Sequence, residues 1–286
     1  MEAFITTMKA NNLHARSNSL ASKSHPLVSD VEDQLRRLKA SEATTSSPSI
    51  VGQNLAALKD LHESADNLLQ LGYFTQKSFS KEGHGKYVED MLDGSVRLLD
   101  ICSSSKDALS QIKTCIHGLE SSLRRRNACE FSLATEIRNY FISRKQVNKM
   151  VCKCFGNVKR MQKQRNAAII DNDHDFVALV SLLKEVEEVS LTVFESLLSF
   201  VCSPKSKATN WSLVSKLIQS KPVSCEIDGA LEDLLKTKPG KSFDVTQGLK
   251  ALKDLGSTIE ELEDGMESVF RCLIKTRVSL LNIVNH

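Results

Sequence analysis

Residues 252–283 read LKDLGSTIEELEDGMESVFRCLIKTRVSLLNI. Within them Leu252, Leu255, Ile259, Leu262, Met266, Val269, Leu273, Thr276, Leu280 and Ile283 step by three and four without a miss. That alternation marks a long helix with one continuous apolar seam. It sets the class of the whole chain, helices packed on helices.

Such a seam serves either a two-chain coiled coil or one helix of an intrachain bundle. A two-stranded coiled coil places charged residues beside the seam to fix pairing. Here the flanking positions are Ala251, Gly256, Thr258, Glu263, Gly265, Phe270, Cys272, Arg277, Ser279 and Val284, most of them small or apolar. The buried face is therefore wider than a two-chain seam and fits a helix covered by several neighbours. The chain is expected to be a monomer or a weak homo-oligomer.

Composition agrees. The 286 residues are 41% hydrophobic and 26% charged, but only 5% aromatic, with five Pro. Few prolines leave room for long uninterrupted helices. No segment alternates with period two, so almost no strand is predicted. The eight Cys are scattered with no C-x-x-C pair, and Met1 to Ala10 lacks the apolar run of a secretory signal. This usage fits reduced, mostly buried thiols in an intracellular, cytoplasmic setting. No stretch holds the roughly eighteen apolar residues that span a bilayer. Glu2 excludes N-myristoylation. From Ala3 to Ser29 there is no acid, a composition shared by organelle transit peptides and by plain disordered tails.

Along the chain, residues 1–26 read as a disordered N-terminal arm and residues 27–286 as one helical bundle domain, less regular over 203–248. Pro26 to Lys39 is a short amphipathic helix with Leu27, Val31, Leu35 and Leu38 on one face. Ala40 to Ser49 reads as a linker. Helical patterns follow over about 50–71, 87–123, 131–165 and 173–201, with short helices expected near 211–218 and 230–236. In the third pattern Ser103-Ser104-Ser105 interrupt the stripe, and Ser104 with Asp107 resembles a capping box, so a break or kink is expected. Short connections make consecutive helices antiparallel.

Charge is the feature most open to a functional reading. Between Arg124 and Arg165 twelve basic residues face only Glu130 and Glu136. Residues 171–200 reverse this, with seven acids against Lys184. Packed as a hairpin, the two helices are expected to neutralise each other in part. Alternatively, the basic stretch is a strip for an anionic membrane surface, with Arg124, Arg125 and Arg126 as candidate contacts. Nucleic acid is disfavoured because Tyr140, Phe141 and Phe155 fall at core spacing and are not available to stack on bases.

Other motifs fail on their own chemistry. Asp171, Asp173 and Asp175 open like a calcium loop, but Phe176 and Leu182 stand where Gly and Glu are required. A helix N-cap explains these acids better. Cys152 and Cys154 lie about 200° apart around a helix and cannot grip one zinc ion. Gly83-His84-Gly85 lacks the strand-to-helix setting of a nucleotide site. No cofactor, metal or catalytic set is expected. An enzyme would need a polar pocket of converging titratable groups. In the arm, Arg16 stands three residues before Ser19, a spacing basophilic kinases use, and Ser17 and Ser19 are the candidate phosphorylation sites.

Several stretches occur together in order: His14-Ala15-Arg16-Ser17-Asn18-Ser19-Leu20, Ser24-His25-Pro26-Leu27, Val31-Glu32-Asp33-Gln34-Leu35, Ser121-Ser122-Leu123-Arg124-Arg125-Arg126, Val193-Phe194-Glu195-Ser196-Leu197-Leu198 and Arg277-Val278-Ser279-Leu280-Leu281-Asn282-Ile283. With these the chain resembles the plant family called domain of unknown function 241, over about His14 to Val284. Met1 to Asn12 and Ala21 depart from its pattern. That family is distantly similar to the BYPASS-type plant proteins. The resemblance implies a plant-specific helical protein linked to root and shoot development and a mobile root-derived signal, and it brings no catalytic residues.

The expectation is an all-α, elongated multi-helix bundle with long antiparallel helices. Its expected role is a non-enzymatic interaction or scaffold protein with an unidentified protein partner in developmental or stress signalling. A peripheral membrane protein is the alternative.

Overall fold

The computed structural model describes residues 25–41, 47–71, 79, 84–125, 130–164, 173–201 and 245–285. Nearly all of them lie in six helices: α1 Pro26–Ser41, α2 Pro48–Leu69, α3 Gly85–Arg124, α4 Glu130–Gln164, α5 His174–Val201 and α6 Val245–Asn285. Among the described residues there is no strand, and the fold is an all-α bundle. At 1.5 Å per residue, α3 and α6 each run about 60 Å, which makes the bundle elongated.

The α6 seam is buried along its length, from Leu252 to Leu280, with Thr276 and Ile283 half-covered. Two neighbours within the chain fill it. Against α3 the helix runs antiparallel: Arg277 donates to the Leu92 carbonyl at 2.7 Å, Lys106 pairs with Glu267 and Lys113 with Glu263. Against α2 it runs parallel, since Gly265 lies on Leu55 and Ser279 donates to Asp66 at 2.6 Å. Gly265 admits the close approach of α2: a Cβ there would come within 3.3 Å of Leu55, whereas one on Gly256 would meet Ile116 at an ordinary 3.6 Å. The seam itself is thus occupied by partners from its own chain.

The remaining helices close the bundle. α1 lies antiparallel on α2, with Gln34 donating to Ser64 at 3.0 Å and Ser41 to Asn54 at 2.9 Å. Val31, Leu35 and Leu38 are buried as the sequence predicts, while Leu27 is half-covered. α5 packs on α1, α2, α3 and α4. Its Phe176 is clasped by His84, stacked at 3.6 Å, and by Phe79 and Tyr87 edge-on. His84, the centre of the Gly-His-Gly stretch, thus has a packing role. Asp173 accepts the Phe176 N–H at 3.2 Å and caps α5, as expected for that acid.

Pro26 opens α1, as the amphipathic pattern from Pro26 predicts. Three boundaries differ from expectation. The linker is shorter than Ala40 to Ser49. α1 continues to Ser41, and α2 starts at Pro48 because the Ser47 hydroxyl accepts the Ile50 N–H and proline suits the first turn. No break occurs at Ser103 to Ser105. Ser105 is buried and returns its hydroxyl to the Ile101 carbonyl at 2.8 Å, while Ile101, Ala108 and Leu109 are buried around it. Tertiary burial overrides the local serine preference. Residues 245–248, read as irregular, form the first turn of α6. The rest of 203–248, with its two expected short helices, and residues 1–24 of the arm lie outside the described residues.

Candidate functional site

α4 is built from two opposed stripes. Ile137, Tyr140, Arg144, Val147, Val151, Cys154, Phe155, Val158 and Met161 are buried, and the buried spacing of three and four holds this face against α3 and α5. The opposite stripe is exposed. It carries Arg138, Lys145, Lys149, Lys153, Lys159, Arg160 and Lys163, with Ile142, Cys152 and Gly156 between them. From Arg138 to Lys163 this cationic face runs about 38 Å along one helix.

Among the described residues, ion pairs with α5 do not supply the expected neutralisation of the exposed α4 cations. Among the described residues, none of these seven cations lies within ion-pair distance of a carboxylate. Arg160 instead donates to Asn157 at 2.7 Å on its own helix. Two of the α5 acids turn elsewhere. Glu185 pairs with Lys39 of α1 at 3.0 Å, and the Glu187 carboxylate sits over Gly94 of α3. Among the described residues, α5 meets α4 near Arg144 and Val201.

The residues singled out from the sequence fare differently. Arg124 pairs with Glu120 one turn back, and Arg125 donates to the Ser121 carbonyl at 3.1 Å, so both serve the last turn of α3. Arg126, Ser17 and Ser19 lie outside the described residues. Arg144, one of the twelve basic residues, is buried and donates to the Val201 carbonyl at 3.1 Å, capping the C-terminal end of α5. The cationic site is therefore the outer face of α4, and the basic count alone could not separate it from Arg124, Arg125 and Arg144. Tyr140 and Phe155 are buried and Phe141 half-buried, so among the described residues the outer face of α4 bears no aromatic ring. No helix among the described residues is long and apolar enough to cross a membrane.

A second group was missed from the sequence. His62, Glu63, Asp66 and Asn67 of α2 meet Cys272 and Lys275 of α6 around an open-sided cavity of about 240 Å³. The legible signal was a polar run, HESADN, inside an apolar helix. Burial pushes the His62 imidazole down to about 4, so it is neutral near pH 7. Burial, and after it the Glu63 carboxylate, pushes the Cys272 thiol up. A neutral histidine and a disfavoured thiolate suit binding better than proton or acyl transfer. The five described cysteines are free thiols, and burial raises Cys102 to about 12.

A family model described as Protein BPS1 matches residues 54–283, from the first turns of α2 to the last turn of α6. No curated protein matches the chain, and no solved structure does.

Proposed function

The chain belongs to the Protein BPS1 family of plant proteins, and on that premise we propose that it acts without catalysis. It is a helical interaction or scaffold protein in developmental or stress signalling, and it engages an acidic protein partner through the outer face of α4. One observation carries this: seven exposed cations on one helix face with no described carboxylate within ion-pair distance of them. Like charges held together without counter-charges cost free energy through mutual repulsion. An anionic partner would remove that cost and gain steering.

The test is proximity labelling in living plant cells, with the natural chain and a Lys145→Glu, Lys149→Glu, Lys153→Glu variant. All three positions are exposed, so the variant keeps its core. A reproducible set of soluble neighbours that disappears in the variant is the expected result. An unchanged set refutes the role of the face.

A second use of the same face is favoured by Ile142, which is 57% exposed between Arg138 and Lys145. An apolar side chain amid cations fits the interface of an anionic bilayer. In that case the chain sediments with vesicles containing about one third anionic lipid and not with neutral ones. At roughly 1 kcal/mol per cation near the surface, the triple variant would bind at least ~100-fold more weakly. Failure to sediment at low salt removes the membrane from consideration.

A further inference from the structure

Among the described residues five large apolar side chains stand exposed: Val96, Ile142, Ile274, Val278 and Val284. Four of them lie where the N-terminal part of α3 runs along the C-terminal part of α6. Arg277 fixes that alignment by donating to the Leu92 carbonyl at 2.7 Å and to the Ser95 hydroxyl at 2.8 Å. Half-buried Leu92 and Leu99 of α3 and Phe270 of α6 continue the patch down to the core. Scattered single apolar residues are ordinary on a surface, whereas a gathered patch marks a place of interaction.

The border of this patch is acidic. From Lys86 to Asp107 the exposed charged residues of α3 are Lys86, Glu89, Asp90, Asp93, Asp100 and Asp107, five acids against one lysine. Arg97 and Lys106 are half-buried, and Lys106 is paired with Glu267. Among the described residues none of the five acids lies within ion-pair distance of a cation. The complementary partner is cationic, with an apolar side chain among its charges. The outer face of α4 has that composition, since Ile142 stands exposed between Arg138 and Lys145. It does not reach the patch of its own chain, because the buried stripe from Ile137 to Met161 holds α4 with that face turned outward. A second copy brings it.

The two faces also match in spacing. Asp93 and Asp100 stand three before and four after Val96, while Arg138 and Lys145 stand four before and three after Ile142. At about 100° per residue the acids fall about 40–60° to one side of Val96, and the cations as far to the opposite side of Ile142. When the two helices run the same way, these opposite offsets face each other. Ile142 then rests on Val96 beside Leu92 and Leu99, Arg138 meets Asp93, and Lys145 meets Asp100. Resting on the reading of α4 as the surface for an acidic protein, we propose that its partner is a second copy of the chain, whose α3–α6 patch receives the outer face of α4. The contact is head to tail. Each copy keeps one free face of each kind, so the assembly grows with concentration.

The test is sedimentation velocity of the full-length chain at about 50 mM salt, with two charge-reversed variants. One carries Arg138→Glu and Lys145→Glu, the other Asp93→Lys and Asp100→Lys. All four positions are exposed, so both variants keep the core, and circular dichroism checks it. The natural chain is expected to gain mass with concentration and to return to monomer at about 500 mM salt. Either variant alone sets like charges face to face and is expected to associate ~10-fold or more weakly. An equal mixture of the two restores opposite charges at every contact and is expected to regain the natural behaviour. A natural chain that stays monomeric, association indifferent to salt, or a mixture no better than its parts would overturn self-docking. If labelled neighbours are still lost in the Lys145→Glu, Lys149→Glu, Lys153→Glu variant, a monomeric chain overturns self-docking alone and leaves the α4 face to another acidic protein. If the neighbours are unchanged as well, both readings fall.

Discussion

Acidification will unfold this protein in part through His62, and the size of the effect follows from its burial. The imidazole is pushed down to about 4 when folded, because nothing inside the bundle solvates its charged form. In the unfolded chain it titrates near 6.5. Above pH 6.5 neither state holds the extra proton and stability is full. As pH falls from 6.5 toward 4 the unfolded state binds a proton that the folded state refuses, so stability is lost across that window. From pH 7.5 to pH 5.0 the loss assigned to this one residue is about 2 kcal/mol. The assay is urea unfolding at 25 °C at several pH values, comparing the natural chain with His62→Gln. The glutamine amide supplies an N–H toward Ser190 but does not titrate in this range. Carboxylates such as Glu267, which Lys106 and then Arg271 hold below the usual range, titrate in both proteins and cancel in the difference. The natural chain should lose about 2 kcal/mol more than the variant between the two pH values. A difference that stays flat would refute the depressed pKa, and with it the neutral His62.

Two further predictions concern the frame that holds the sites. Ser105→Pro should cost about 3 kcal/mol or more, because proline inside a continuous helix loses a hydrogen bond and clashes with the preceding turn. Were α3 to restart there behind a capping box, proline would sit in the first turn and the midpoint of thermal unfolding would hardly move. Gly265→Val should destabilise by about 1–3 kcal/mol through overpacking, because its Cβ would press on Leu55, a fully buried residue with little room to give. An unchanged urea midpoint would show that α2 does not press on α6 there.

The helical class and the α6 seam were legible because period and composition are local properties. Nine of the ten seam positions are strongly apolar, and their small flanks already spoke for several neighbours. The Asp173 cap was legible for the same reason, since a cap reads only the next few residues. Ser103 to Ser105 misled because local serine preference is worth a few tenths of a kcal/mol per residue, while burial of Ile101, Leu109 and their neighbours is worth far more.

The charge pattern shows where sequence stops. The excess of basic residues in α4 and of acids in α5 is plain in the sequence, but pairing depends on which faces meet. Packing turns Glu185 to α1 and Glu187 to α3, and leaves Arg138 to Lys163 facing outward. The cavity shows it again. His62 and Cys272 are 210 positions apart, and only the parallel alignment of α2 with α6 brings them together. By itself the sequence determined the helices, their apolar stripes and their net charges, because these follow from the periodicity and identity of neighbouring residues. The tertiary structure alone decided which charges stay unmatched, which serine becomes a core residue and which polar groups share a cavity, because burial and pairing are set by contacts between distant segments.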